Sequence, residues 1–442
     1  MRIGLVMTFI VFVTMIMSCL NDKVPASIDV GLMEMIANNS VSGEVEYFIM
    51  PDDGDYEGLP NQDPNNPITS EKILLGQQLF HEPGLAQKPT YANSFETYSC
   101  ASCHIASKGF LPGRLQGIAD GAFGYGSGGD DRHLAPGYSA SEIDAQGTRP
   151  LSVMNVTYVT NTLWSGTFGA NDVNVGTEDA WHGLAEVNHS GFYGLEAQNI
   201  EGFDLHRLEI NERVLDDFGY TELFDKAFPD IPESQRYSVE HASFAMGAYL
   251  RSILTNRAPF QNYLKGQNYA ITAAQKNGAM IFFGKGNCIT CHNSPSFSAM
   301  NFYRLGTKDM YELGGLNTSS DDPRNLGRGM FTGDEDDMYA FKVPQLYNLQ
   351  SYETFFHGSS KNSIAEAIDF KIAAQTENPK VAQDKISISP LSLSSQERLD
   401  LIDFLENALY DGQMERYVPN EVRSGYCFPN NDPQARIDLG CN

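Results

Sequence analysis

Basic residues are scarce in this chain. Thirty lysines and arginines stand against 56 aspartates and glutamates in 442 residues, a formal net charge of -26. So little cationic surface argues against nucleic-acid binding, which needs basic groups to neutralise phosphates. Long apolar runs are missing beyond residue 19, so everything after Cys19 is expected to lie outside the bilayer in solution. Strand signals are sparse, which argues against an all-β fold. With two tryptophans and seven cysteines, each of these residues carries information. An apolar content of 41% excludes a wholly disordered chain, and the length favours two domains or one large one.

The first residues do form an apolar run. Met1-Arg2 followed by Ile3 to Met17 reads as a signal peptide, and Ile16-Met17-Ser18-Cys19 resembles a lipobox, whose small residue precedes a cysteine that takes lipid. A transmembrane anchor is the alternative, for which the run is short. Residues 1–19 are therefore read as signal peptide and lipobox. The mature protein is expected to be periplasmic or at the cell envelope, lipid-anchored through Cys19, where a disulfide can persist.

Residues 20–66 contain Asn38-Asn39-Ser40, Pro51-Asp52-Asp53-Gly54-Asp55 and Asn61-Gln62-Asp63-Pro64-Asn65-Asn66, and are read as a flexible tether. From Ile68 a capped helical phrase begins, Thr69 to Phe80, and a second, Ile271 to Phe283, repeats its cap, central glycine and apolar-Phe ending. An internal duplication follows. Tyr237–Leu254 reads as a long, mostly buried helix, and Ser394-Ser395-Gln396-Glu397 as a capping box opening a helix to about Leu409. Gly121–Thr148, rich in Gly, Asp and Ser, is expected to be a long surface loop.

Each repeat leads into a Cys-x-x-Cys-His: Cys100-Ala101-Ser102-Cys103-His104 and Cys288-Ile289-Thr290-Cys291-His292. Two thiols three positions apart can add to the two vinyl groups of one haem, and the next imidazole then lies beneath the iron. A zinc site would need two distant pairs to converge and leaves both histidines unexplained; redox disulfides are the other alternative. With one cysteine for lipid and four for haem, Cys427 and Cys441 remain, either joined in a disulfide closing a short loop or left as two thiols.

Over roughly residues 66–442 the sequence resembles the bacterial di-haem cytochrome c peroxidases, in a longer, lipoprotein-like subgroup. The resemblance is carried by Leu75 to Leu85, Ser152-Val153-Met154-Asn155 with Leu163-Trp164-Ser165-Gly166, Leu195-Glu196-Ala197-Gln198 through His206-Arg207-Leu208-Glu209, Phe341 to Leu349 through Phe356-His357-Gly358, and the ending Cys427-Phe428-Pro429 to Cys441. It implies a mainly α fold with two cytochrome c-like domains, 67–260 (peroxidatic) and 261–442 (electron-accepting), each with one covalently bound haem c, and an active site facing their interface. His104 and His292 would ligate the irons. Gln198 and Glu209 would orient peroxide and move its proton, and Trp164 would assist electron passage between the haems. His133, the one histidine in the loop after the first motif, would be a resting ligand that leaves.

Three departures matter. Gln198 and Glu209 are one residue further apart than the family pattern. Lys371 stands fourteen residues after His357, where the family has a methionine ligand, and a lysine or vacant position would lower that haem's potential. Arg149 replaces an asparagine that helps hold calcium between the domains, which counts against calcium. The resemblance implies reduction of hydrogen peroxide to water with electrons from a small cytochrome c or copper protein, and a possible homodimer. The alternatives are a di-haem oxidase of an organic or protein substrate and a non-enzymatic di-haem electron carrier.

Overall fold

The computed structural model describes residues 27–441, so the signal peptide, lipobox and Cys19 anchor lie outside it. The elements that position the site are α1 (Ser27–Asn38), α2 (Ser70–His81), α3 (Gly194–Leu205), α4 (Val239–Ser252), α5 (Ala273–Phe283), α6 (Ile364–Ala373) and α7 (Ser395–Asp403). Among the described residues, strand is confined to two small antiparallel pairs: β1 (Ala122–Phe123) with β2 (His133–Leu134), and β3 (Ala299–Arg304) with β4 (Ala340–Val343). Among the described residues no helix is long and apolar enough to cross a membrane.

The helix starts follow local chemistry. The Thr69 side chain accepts from the Lys72 N–H, while Thr272 with Gln275 and Ser394 with Glu397 form reciprocal capping boxes. The repeat is three-dimensional as well. In the first unit α2 crosses α4 at Gly76, where a Cβ would overlap the Ala245 carbonyl; in the second α5 crosses α7 at Gly278, where it would overlap the Asp400 carbonyl. Both glycines are therefore required for backbone-to-backbone contact. We expect Gly76→Ala and Gly278→Ala each to lower stability by about 1–3 kcal/mol, the usual cost of overpacking, read from denaturant unfolding of the holoprotein.

Two cores result. One gathers Leu75, Leu79, Phe203, Val214, Phe224 and Ala245, the other Phe260, Phe282, Phe297, Tyr347, Leu401 and Phe404. The expected tether is corrected here. Leu32, Ile36, Phe48 and Met50 are buried in the second core, and Asp29 pairs with Lys276 of α5 at 2.7 Å. The turn chemistry of this segment is real, but its apolar residues dock. The last residues run the other way: Met414 joins Phe80 and Tyr249, Asn431 N–H donates to the Thr97 carbonyl at 3.0 Å, and Tyr125 N–H donates to Asp438 at 2.8 Å. Cys427 and Cys441 are joined in a disulfide. The Gly-rich stretch is no bare surface loop either, since Ile118, Ala122, Tyr138 and Ile143 form a small core and Arg132 is buried, donating to the Ile118, Ala119 and Gly124 carbonyls.

Candidate functional site

Between the two cores lies a cavity of about 1610 Å³, larger than the roughly 300–1,000 Å³ that holds one drug-sized ligand. Cys100, Cys103 and His104 line it from the first unit, and Cys288, Cys291 and His292 from the second. The four cysteines are free thiols. Burial pushes Cys100 and Cys103 up to about 12 and Cys288 up to about 11, so they are neutral groups on an apolar wall.

Each motif is wound as a short 3-10 turn, Cys100–Ser102 and Cys288–Thr290, which sets its two thiols and its histidine on one side. His104 Nδ1 meets the Phe110 carbonyl at 3.0 Å and His292 Nδ1 meets the Phe297 carbonyl at 2.7 Å. Burial drives both imidazoles down to about 4, and the Lys371 charge adds to this at His292. Burial thus disfavours a charge on either ring and a backbone oxygen holds each Nδ1, as suits a metal-ligating histidine.

Haem fits this arrangement on observations of the cavity wall. Gly117 has no room for a side chain, because a Cβ would stand 2.8 Å from the Cys103 Sγ. Arg149 is 5% exposed and its Nη1 has no hydrogen-bond partner, a buried donor suited to a propionate carboxylate. Among the described residues no three His, Cys, Asp or Glu side chains gather as a group that could hold a metal ion.

The other expected residues divide. Trp164, Gln198 and Lys371 line the cavity. The indole N–H of Trp164 donates to the Arg149 carbonyl at 2.7 Å, and its ring stands edge-on to Phe341 and His357, which stack at 3.6 Å. The Arg149 guanidinium lies over the Trp164 and Tyr352 rings. Lys371, on α6, is half-buried, and burial lowers its amine to about 8. His357 is no free ligand, since its Nε2 meets Asp309 at 3.0 Å.

Glu209 and His133 are not brought to the cavity. Glu209 lies past α3, beyond Arg207 in the left-handed region (φ 57), and its carboxylate is paired with Lys88 at 2.9 Å. His133 pairs with Phe123 across β1 and β2, and its side chain is 56% exposed. Sequence reasoning passed over His206, although it stands in the same quoted stretch. It ends α3, lines the cavity, and its Nδ1 meets Asp144 at 2.6 Å. Its place about two helical turns after Gln198 was a usable signal; its partner, 62 residues earlier, had none.

Residues 70–269 match the family model described as di-haem cytochrome c peroxidase. The chain is 27% identical over 349 residues to the methylamine utilization protein MauG of Methylorubrum extorquens, covering 77% of this chain and 79% of that one. It is 24% identical to the cytochrome-c peroxidase IdrP1 of Pseudomonas sp. (strain SCT), covering 77% and 82%. Among solved structures, a MauG-like protein associated with microbial copper homeostasis superposes with a TM-score of 0.56 at 22% identity, covering 85% of this chain and 97% of that one, which speaks to the fold.

Proposed function

We propose, from the premise that this chain is a relative of the di-haem cytochrome c peroxidases, that it reduces hydrogen peroxide to water with two electrons from a small cytochrome c or copper protein. The observation that carries the reading is the convergence of both Cys-x-x-Cys-His sets on one cavity, with Trp164 in its wall.

Cys100, Cys103 and His104 would hold one haem, and Cys288, Cys291 and His292 the other. Bound there, the haems supply the redox chemistry. The chain's own residues do the rest. The Phe110 and Phe297 carbonyls fix the tautomer of each ligand histidine. Arg149 offers a buried cation to the carboxylates between the two sites. Gln198 offers an amide to peroxide at the first. Trp164, with Phe341 and His357, lines the space between the units with packed aromatic rings. Lys371 stands on the cavity side of α6 and would help hold the iron of the second haem. The chain's charge of -26 suits a basic donor steered in by the field, and residues 1–19 suit export with a lipid anchor at Cys19.

The test is peroxide-dependent oxidation of reduced cytochrome c by the haem-loaded protein, in its fully oxidised and half-reduced states. Repeated turnover is expected. A spectral change without turnover of the donor would favour a second reading, an oxidase of an organic or protein substrate, which the lysine at the second site keeps in view. No response in either state would leave a carrier. Trp164→Phe keeps a ring but loses the indole and its N–H contact; we expect donor oxidation to slow about tenfold, some 1.4 kcal/mol of barrier, with both haem spectra intact.

A further inference from the structure

The peroxide reading needs a group at the first site that takes a proton from one peroxide oxygen and returns it to the other, and the structure takes Glu209 away from that site. Its carboxylate lies outside the cavity wall, bound to Lys88. What the wall holds instead is His206, at the C-terminal end of α3, the helix that also carries Gln198.

The imidazole is set from two directions. Its own backbone carbonyl accepts the Tyr98 hydroxyl at 2.9 Å, and Nδ1 meets the Asp144 carboxylate at 2.6 Å. The Asp144 side chain is 4% exposed and also accepts from Gln146 Nε2 at 3.2 Å. Nε2 of His206 has no hydrogen-bond partner among the described residues, and the ring is 35% exposed in a residue that lines the cavity. A buried carboxylate on Nδ1 with a free Nε2 is the arrangement that fixes a histidine in one tautomer and stabilises it when it takes a proton. The charged and titratable groups around it are Asp144, Asp120, which Arg207 and Tyr138 engage, Arg207 itself, Tyr98 and Glu201. His104 lies close enough across the cavity for its proton affinity to fall when His206 is charged. Although burial opposes the charge on His206, Asp144 outweighs it and raises the imidazole above its usual range.

We propose that His206, oriented by Asp144, is the acid–base residue for peroxide at the His104 site. Nε2 accepts the proton of the peroxide oxygen that binds and delivers it to the oxygen that departs. The O–O bond breaks, two electrons arrive from the donor protein and two protons from solvent, and the products are two waters. His206 ends as it began, and Asp144 stays ionised throughout.

This rests on the haem and peroxide assignment above, so the test avoids turnover. Hydrogen cyanide binds a haem protein as the neutral acid and leaves its proton on a nearby base, and its association with the oxidised holoprotein can be followed optically against pH. The wild-type rate should fall toward acid pH as His206 becomes charged. In His206→Gln the rate should drop by about 100-fold and the acid limb should vanish, with unchanged haem content and spin state. Asp144→Asn provides the independent arm: without the carboxylate the imidazole holds its proton less tightly, so the limb should move about one unit toward acid. A limb retained in His206→Gln but lost in Glu209→Gln would overturn the assignment. So would loss of a low-spin signature in His206→Gln, which would make His206 an iron ligand. A protein that binds cyanide in this manner yet never turns over peroxide would sink the peroxidase reading and leave the base in place.

Discussion

Lys371→Met should raise the reduction potential of the second haem by on the order of 100 mV, a fraction of the roughly 0.8 V range that axial ligands command. The thioether stabilises ferrous haem, whereas an amine favours the ferric state. Lys371 faces the same cavity as Cys288, Cys291 and His292, from a helix that is capped just past its end by Ala374 in the left-handed region. Methionine is as good a helix former as lysine and fills similar space, so the fold should tolerate the exchange. A spectroelectrochemical titration reads the outcome, with the absorption of the oxidised protein as a second signal. If neither potential nor spectrum changes, the lysine is not a ligand, and the second iron takes its sixth ligand from elsewhere.

Arg251→Met should cost about 3–5 kcal/mol in unfolding free energy, the largest loss expected from any single exchange considered for this chain. Arg251 is 2% exposed and Glu196 is fully buried, and they form a two-pronged ion pair, with Nη2 to Oε2 at 2.8 Å. Asn66 adds a donor to Glu196 at 2.9 Å, and Arg251 Nε reaches the Asn61 carbonyl at 3.1 Å. Gly247 leaves room for the carboxylate, since a Cβ there would stand 2.8 Å from Glu196 Oε1. Deleting the arginine strands a carboxylate with no water to reach. The double variant Arg251→Met, Glu196→Gln should recover part of the loss, because no charge is then left behind; denaturant midpoints of the four proteins decide it. Glu196 lies two residues before Gln198 on α3, so the single variant should also loosen the peroxide side of the cavity. A loss under 1 kcal/mol would show that the pair is not held as described.

What the sequence made legible was local. Thr69, Thr272 and Ser394 cap their helices because a side-chain oxygen near an exposed N–H acts over three residues. The Cys-x-x-Cys-His turns read directly because their chemistry is contained in five positions, and the central glycines of the repeated phrase proved to be the two helix crossings. Pairings made at long range were not legible. Glu209 fits the family pattern by residue type, but one extra residue and the left-handed turn at Arg207 carry it to Lys88. His133 is held by its own loop. The segment from 27 to 50 looked like linker because its Asn38-Asn39-Ser40 turn runs on into the turn-rich stretch after Pro51, yet apolar residues outnumber turn residues within it and four buried side chains suffice to dock it. Asp144 sits in a stretch whose composition suggests only loop, and nothing there announces that it orients a histidine on α3.

The two ends of the chain clasp opposite units: residues 27–50 complete the second core, and residues 414–441 close over the first. Neither unit is therefore a contiguous piece of sequence, and cutting near residue 258 would give two fragments, each lacking part of its own core. Order of synthesis adds to this. The unit whose cysteines emerge first is the one that is finished last, waiting for the final thirty or so residues before its pocket can shut. The first unit thus stays incomplete while roughly three quarters of the chain follows Cys103, whereas the second, whose N-terminal strap is made first, has all of its core residues once Leu409 is made.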